Sequence, residues 1–199
     1  MRYLLIAGLS LVVLFTTPEL VSAQNIDALY SRGIISQREG RYSEAESIWR
    51  QVIELDPEIA LAYSNLGLAL SSQSRFEEAE AAHLEALRRD PDNVFAYTYL
   101  NLGDALYGQG RFEEAEMAYR EAISLDPGDR LAHFNLGVVL SRQERFDEAE
   151  RVYREVIRLD PDNAAAYYNL RSVLLHQGRT EEAEAAFQEA VRLNPSYTE

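Results

Sequence analysis

Leu61-Ala62-Tyr63-Ser64-Asn65-Leu66-Gly67, answered by Arg75-Phe76-Glu77-Glu78-Ala79-Glu80 and closed by Asp90-Pro91, is the phrase on which the fold turns. The phrase recurs along the chain. The closing prolines are Pro57, Pro91, Pro127, Pro161 and Pro195, with three gaps of 34 residues and one of 36. A fixed period of this size marks a solenoid, in which each unit contacts only its neighbours. Within the phrase, Leu61, Ala62, Leu66, Leu68 and Leu70 recur at spacings that give one helix two apolar faces. Phe76, Ala79, Ala82, His83, Ala86 and Leu87 form the stripe of a second helix. Ser71 to Arg75 reads as a short polar turn between them, and the equivalent turns carry Gly40, Gly110 and Gly178. A proline drives the residue before it out of helical geometry, so each Asp-Pro pair ends the second helix. Asp129 and Asn163 are expected N-caps of the units that follow. The class is all-α, built from antiparallel helix pairs.

These residues resemble the tetratricopeptide repeat family. The resemblance is carried by Asn-Leu-Gly in the first helix, by alanine with an aromatic four residues later in the second, and by the terminal proline. It implies a right-handed superhelical solenoid of five helix pairs. The repeats are expected at about 26–59, 60–93, 96–129, 130–163 and 164–197, within a domain spanning 24–199. Gly67, Gly103 and Gly137 are expected to let the paired helix come close, with Ala45, Ala79, Ala115, Ala149 and Ala183 opposite for the same reason. Trp49, Tyr119, Tyr153 and Phe187 are expected to fill the space between units.

Three departures from the pattern stand out. Two extra residues fall within Asp92-Asn93-Val94-Phe95-Ala96, read as a longer turn or as a change of pitch that turns Phe95, Tyr97 and Tyr99 towards a ligand. Arg171 replaces the close-contact glycine of the fifth unit, where a guanidinium is expected to splay the pair or reach for solvent. The last helix, with Phe187, Ala190 and Val191, is expected to leave apolar surface exposed and is a candidate self-association interface.

Formal net charge is −14, which argues against nucleic acid and anionic membrane surfaces as partners. Ten of the 33 acids belong to five Glu-Ala-Glu motifs near helix starts. The plainest reading there is a solvated face matched to the helix dipole, with Arg88, Arg89, Arg154 and Arg158 late in the same helices. There is no Cys, which excludes disulfides and thiolate sites, and all 19 basic residues are Arg.

The N-terminus reads as a signal peptide over 1–23. Met1-Arg2 precedes an apolar run from Tyr3 to Phe15, and Val21-Ser22-Ala23 offers the small residues of a cleavage site. A run of 13 residues is shorter than the ~20 that span a bilayer, so no stable membrane insertion is expected after cleavage. Export to a periplasm is the expected destination, with an extracellular space or a thylakoid-type lumen as alternatives.

No catalytic constellation, metal-ligand spacing or cofactor motif emerges. His83, His133 and His176 lie on separate units, the first two in slots filled elsewhere by Tyr or Phe. The expectation is a non-enzymatic scaffold without cofactors that binds another protein. Alternatives are a self-associating structural subunit of an envelope complex and a chaperone-like assembly factor.

The resemblance implies that first helices line a groove for an extended peptide or a helix. The candidate groove residues are Tyr30, Ile34, Asn65, Leu68, Tyr97, Asn101, Tyr107, Phe134, Asn135, Val138, Tyr168 and Asn169, with Leu61, Leu100, Leu131 and Leu175 on the same stripe. The asparagines suit either a ligand backbone or their own helices. Family members that capture a C-terminal carboxylate use groove lysines. This chain has none, so an apolar segment is the expected ligand.

Overall fold

A computed structural model describes residues 18–91 and 95–198, with side chains from Asn25 onward. The apolar run Tyr3–Phe15 and residues 92–94, part of the stretch that carries the two extra residues, lie outside the described residues. Among the described residues ten α-helices follow one another: α1 (Pro18–Arg38), α2 (Tyr42–Leu55), α3 (Ala60–Ser71), α4 (Phe76–Arg89), α5 (Ala96–Gly108), α6 (Phe112–Leu125), α7 (Arg130–Arg142), α8 (Phe146–Leu159), α9 (Ala164–His176) and α10 (Thr180–Leu193). A 3₁₀ turn, Pro195–Thr198, closes the described chain. Each helix packs on its sequence neighbours, and α3, α5, α7 and α9 also touch one another in turn. Among the described residues, no helix is long and apolar enough to cross a membrane.

Helix ends follow the local chemistry. Asp129 accepts hydrogen bonds from the amides of Leu131 and Ala132, and Asn163 accepts one from Ala166. The turns inside units one, three and five need a left-handed residue, met by Gly40, Gly110 and Gly178. Ser74 and Glu144 take the same conformation in units two and four, at φ 60° and 59°.

The close approach of the paired helices is as the glycines suggest, but its partner differs from expectation. A Cβ on Gly67, Gly103 or Gly137 would lie 2.6, 2.5 or 2.7 Å from the rings of His83, Tyr119 and Tyr153. These rings, with Trp49 against Gly33, therefore fill the space inside each unit rather than between units. Flat side chains need the extra depth that a missing methyl leaves. Between units run Leu70, Leu106, Leu140 and Leu174, all nearly fully enclosed, and a buried hydroxyl pair, Ser64 and Thr98, at 3.3 Å. Arg171 neither splays its pair nor escapes to solvent. Its guanidinium lies over the Phe187 ring, 4.4 Å from the centroid, a cation–π contact that replaces the glycine–aromatic one.

The Glu-Ala-Glu motifs do more than match helix dipoles. The second glutamate of each unit reaches the arginine that opens the next unit's second helix. The pairs are Glu46–Arg75, Glu80–Arg111, Glu116–Arg145 and Glu150–Arg179, all at 2.6 Å. The same arginines grip the first glutamate of their own motif, Glu78, Glu114, Glu148 and Glu182. Hydrogen bonds from those arginines hold Glu78, Glu114, Glu148 and Glu182 below the usual carboxylate range. The result is a ladder that locks the register between successive units. Glu116 is its least exposed rung, with side-chain exposure of 7%, and it also pairs with Arg120. Glu116→Ala is expected to lower stability by about 2 kcal/mol in urea titration, because it removes several charged hydrogen bonds at once. Adding Arg145→Ala to that variant should cost little more, since its inter-unit partner is already gone.

Candidate functional site

The first helices α1, α3, α5, α7 and α9 present one continuous face, and the candidate residues divide there by accessibility. Leu68 and Tyr97 are exposed, each at 38%, as are Leu131, Tyr168 and Leu175. Tyr30, Ile34, Tyr107, Phe134 and Val138 are half-buried. Leu100 is a correction as a ligand contact: it is 6% exposed and belongs to the core, in the register where Ser64 of α3 meets Thr98 of the next first helix.

Aromatic pairs hold the exposed rings in place. Tyr97 stacks on Phe95 with centroids 5.4 Å apart, and Tyr168 stacks on Tyr197 at 4.6 Å. Tyr30 stands edge-on to Trp49 at 4.9 Å, and Phe134 edge-on to Tyr153 at 6.0 Å. Burial pushes the Tyr97 phenol up to about 12, so it stays a neutral donor across ordinary pH. Phe95, with the insertion before it, lies exposed at the start of α5 and supports this stack.

The asparagines do not act as one set. Asn65 donates to the Leu61 carbonyl and to the Tyr30 hydroxyl, and Asn169 donates to the Ala165 carbonyl. Those two bond within the protein. Asn135 instead donates across to Asp104 at 2.8 Å, and Asn101, half-buried, keeps its place on the face between them.

Asp104 is the residue that the periodic reading passed over. Its register holds Ile34, Leu68, Val138 and Ser172 in the other units, so a carboxylate is out of pattern. It accepts hydrogen bonds from the Tyr119 hydroxyl and from Asn135, both at 2.8 Å and both on Oδ1. Burial pushes its carboxyl upward, against the pull of those two donors. Burial and the neighbouring charge of Asp104 in turn push the Tyr119 phenol up. Asp104, Tyr107, Tyr119, Asn135 and Val138 line a pocket of ≈ 170 Å³ between α5 and α7. A wider depression of ≈ 580 Å³ lies beside Phe134 and Leu131, rimmed by Asp126, Asp129, Arg130 and Asp160.

One further expectation is corrected. Ala190, offered as part of a C-terminal interface, is fully enclosed against α9, as are Ala183 and nearly Ala186. Only half-buried Phe187, under Arg171, and Val191 remain of that face. Of the histidines, His83 is a core residue, whereas His133 is half-buried with Nε2 3.1 Å from the Pro127 carbonyl. His176 is exposed and stacks on Phe146 at 4.5 Å.

Residues 19–199 match a family model described as the Cilia and flagella-associated protein 70 C-terminal domain, a tetratricopeptide repeat model. The chain belongs to that family. Over 68 residues it is 38% identical to the TPR repeat-containing thioredoxin TTL4 of Arabidopsis thaliana, which is 34% of this chain but 10% of that protein. The chain thus spans only a small part of that relative's length. A crystal structure of MamA superposes with a TM-score of 0.75 at 22% identity, covering 83% of this chain and 96% of that one. YrrB, described as a TPR protein with an unusual peptide-binding site, gives a TM-score of 0.73 at 21% identity, over 89% and 94%. At such identities the likeness is one of fold. It supports the tetratricopeptide solenoid of paired helices.

Proposed function

We propose that this tetratricopeptide domain binds an extended peptide or a helical segment of another protein along the face of its first helices, without catalysing a reaction. The observation that carries the reading is the exposure of Leu68, Tyr97, Leu131, Tyr168 and Leu175 on that one face. Large apolar side chains are kept in water at a cost unless a partner covers them. Tyr97 and Tyr168 are also pre-set by stacking, so little side-chain entropy is lost on contact. On second helices Leu55, Leu84, Met117 and Leu125 are also exposed, but at scattered registers. The reading takes the chain to be exported, on the strength of the pattern from Met1 to Ala23.

A displayed library of random decapeptides tests it. The full chain is expected to enrich apolar and aromatic sequences that bind saturably. The variant carrying Tyr97→Ala, Tyr107→Ala and Phe134→Ala, shown by circular dichroism to keep its helix content, is expected to lose them by about tenfold or more in affinity. Equal enrichment by both proteins would remove the site from this face.

A further inference from the structure

We infer that Asp104 is the anchor for a cationic side chain, Lys or Arg, of a peptide lying in the groove. The inference rests on the peptide-binding reading above and specifies the chemistry of its ligand.

The argument begins from an imbalance of charge. The partly buried glutamates of the inter-unit ladder, Glu46, Glu80, Glu116 and Glu150, each face an arginine of the next unit at 2.6 Å. Asp104 makes no such pair with any described residue, although the chain carries 19 arginines. Arg142, one turn beyond Val138 on α7, is exposed and forms no ion pair with it. A carboxylate taken out of water without a counter-charge is costly, and proteins ordinarily place a cation beside it. Here the missing cation has a route in, because the pocket of ≈ 170 Å³ opens onto the groove.

Geometry sets what kind of cation fits. Tyr119 and Asn135 both donate to Oδ1, which fixes the carboxylate's orientation and leaves Oδ2 free for a third donor. Those two neighbours present donors rather than ligand oxygens, so the pocket offers a metal ion a single carboxylate. The Tyr107 ring, held by Phe112 at 5.4 Å, supplies an aromatic wall on which a guanidinium or an alkylammonium packs well. Val138 completes an apolar collar suited to the methylene stem of Lys or Arg. Nearby, Asp126, Asp129 and Asp160 rim the adjoining depression against one arginine, Arg130, which pairs with Asp160. The local field is therefore negative. Apart from the asparagines and Ser172, the groove registers named above are apolar, so the ligand that matches is an apolar segment with one basic residue near its middle.

Two fluorescein-labelled decapeptide pools of mixed apolar and aromatic residues test this, identical except for a central Arg in one and norleucine in the other. By fluorescence anisotropy, the full chain is expected to bind the Arg pool about tenfold or more tightly than the norleucine pool. Asp104→Asn keeps an acceptor for Tyr119 and removes the charge. It is expected to abolish the preference for the Arg pool. If the parent binds both pools equally, or the asparagine variant keeps the preference, Asp104 is not the anchor and the groove reading stands without it. If neither pool binds the parent, the groove reading fails and this inference with it.

Discussion

Trp49→Ala is expected to lower the stability of the first unit by about 3–5 kcal/mol, the range for removing a fully enclosed tryptophan. Trp49 is 0% exposed, and its six-membered ring fills the space that Gly33 leaves open, with Cζ2 2.6 Å from where a Cβ would stand. Its Nε1 donates to Gln37, and the same Gln37 amide donates onward to the Asn65 carbonyl in the second unit. Tyr30 rests edge-on against it. The substitution therefore leaves a cavity inside unit one and loosens a hydrogen-bonded link to unit two. Repeat arrays lose stability unit by unit, because each repeat contacts only its neighbours. Hydrogen exchange should show amides of α1 and α2 losing protection while those of α7 to α10 keep theirs. Uniform loss along the whole chain would show instead that the array opens as one cooperative body.

Which parts of this structure were legible from the residues follows from the range of the forces involved. Helix pairing, the turn glycines and the caps at Asp129 and Asn163 are set within a few residues, so they stand in the sequence openly. The ladder does not. Glu46 and Arg75 are 29 residues apart, and periodicity reveals only that both recur, not that the second glutamate reaches forward to the next unit's arginine. The ring that meets Gly67 also belongs to a three-dimensional register, so periodicity alone does not tell that the aromatics lie within units and not between them. Arg171 is legible as an exception, but its resting place over Phe187 depends on a neighbouring helix. Asp104 is the instructive miss. A repeat searched for what its copies share hides the residue that one copy alone carries, and function concentrates in such residues because the shared ones are spent on the fold. The usable signal was an acid directly after Asn-Leu-Gly, where the other units place Leu, Val or, after the Arg of the fifth, Ser.

His83→Phe is expected to raise stability at neutral pH and to remove an acid sensitivity that the parent carries. His83 is fully enclosed against Gly67, and neither ring nitrogen has a hydrogen-bond partner. A neutral imidazole buried in this way forfeits its bonds to water, at a cost of about 1–3 kcal/mol that a phenyl ring in the same slot does not carry. Tyr119 and Tyr153 show that the slot accepts a six-membered ring, and Phe suits unit two better than Tyr because Leu68 stands where Asp104 receives the Tyr119 hydroxyl. The pH dependence follows from the same burial, which lowers the imidazole from 6.5 to about 4. Between those values the unfolded chain binds a proton that the folded one refuses. Stability from this residue is therefore complete above about 6.5 and declines as pH falls towards 4. Linkage puts the loss between pH 7 and pH 5 at about 2 kcal/mol. Most carboxylates remain ionised in that interval, so the difference between parent and variant in urea titrations at the two pH values isolates the histidine. A parent whose stability falls no further than the variant's would mean that His83 finds a partner or water in the core, and that its burial is not what holds it neutral.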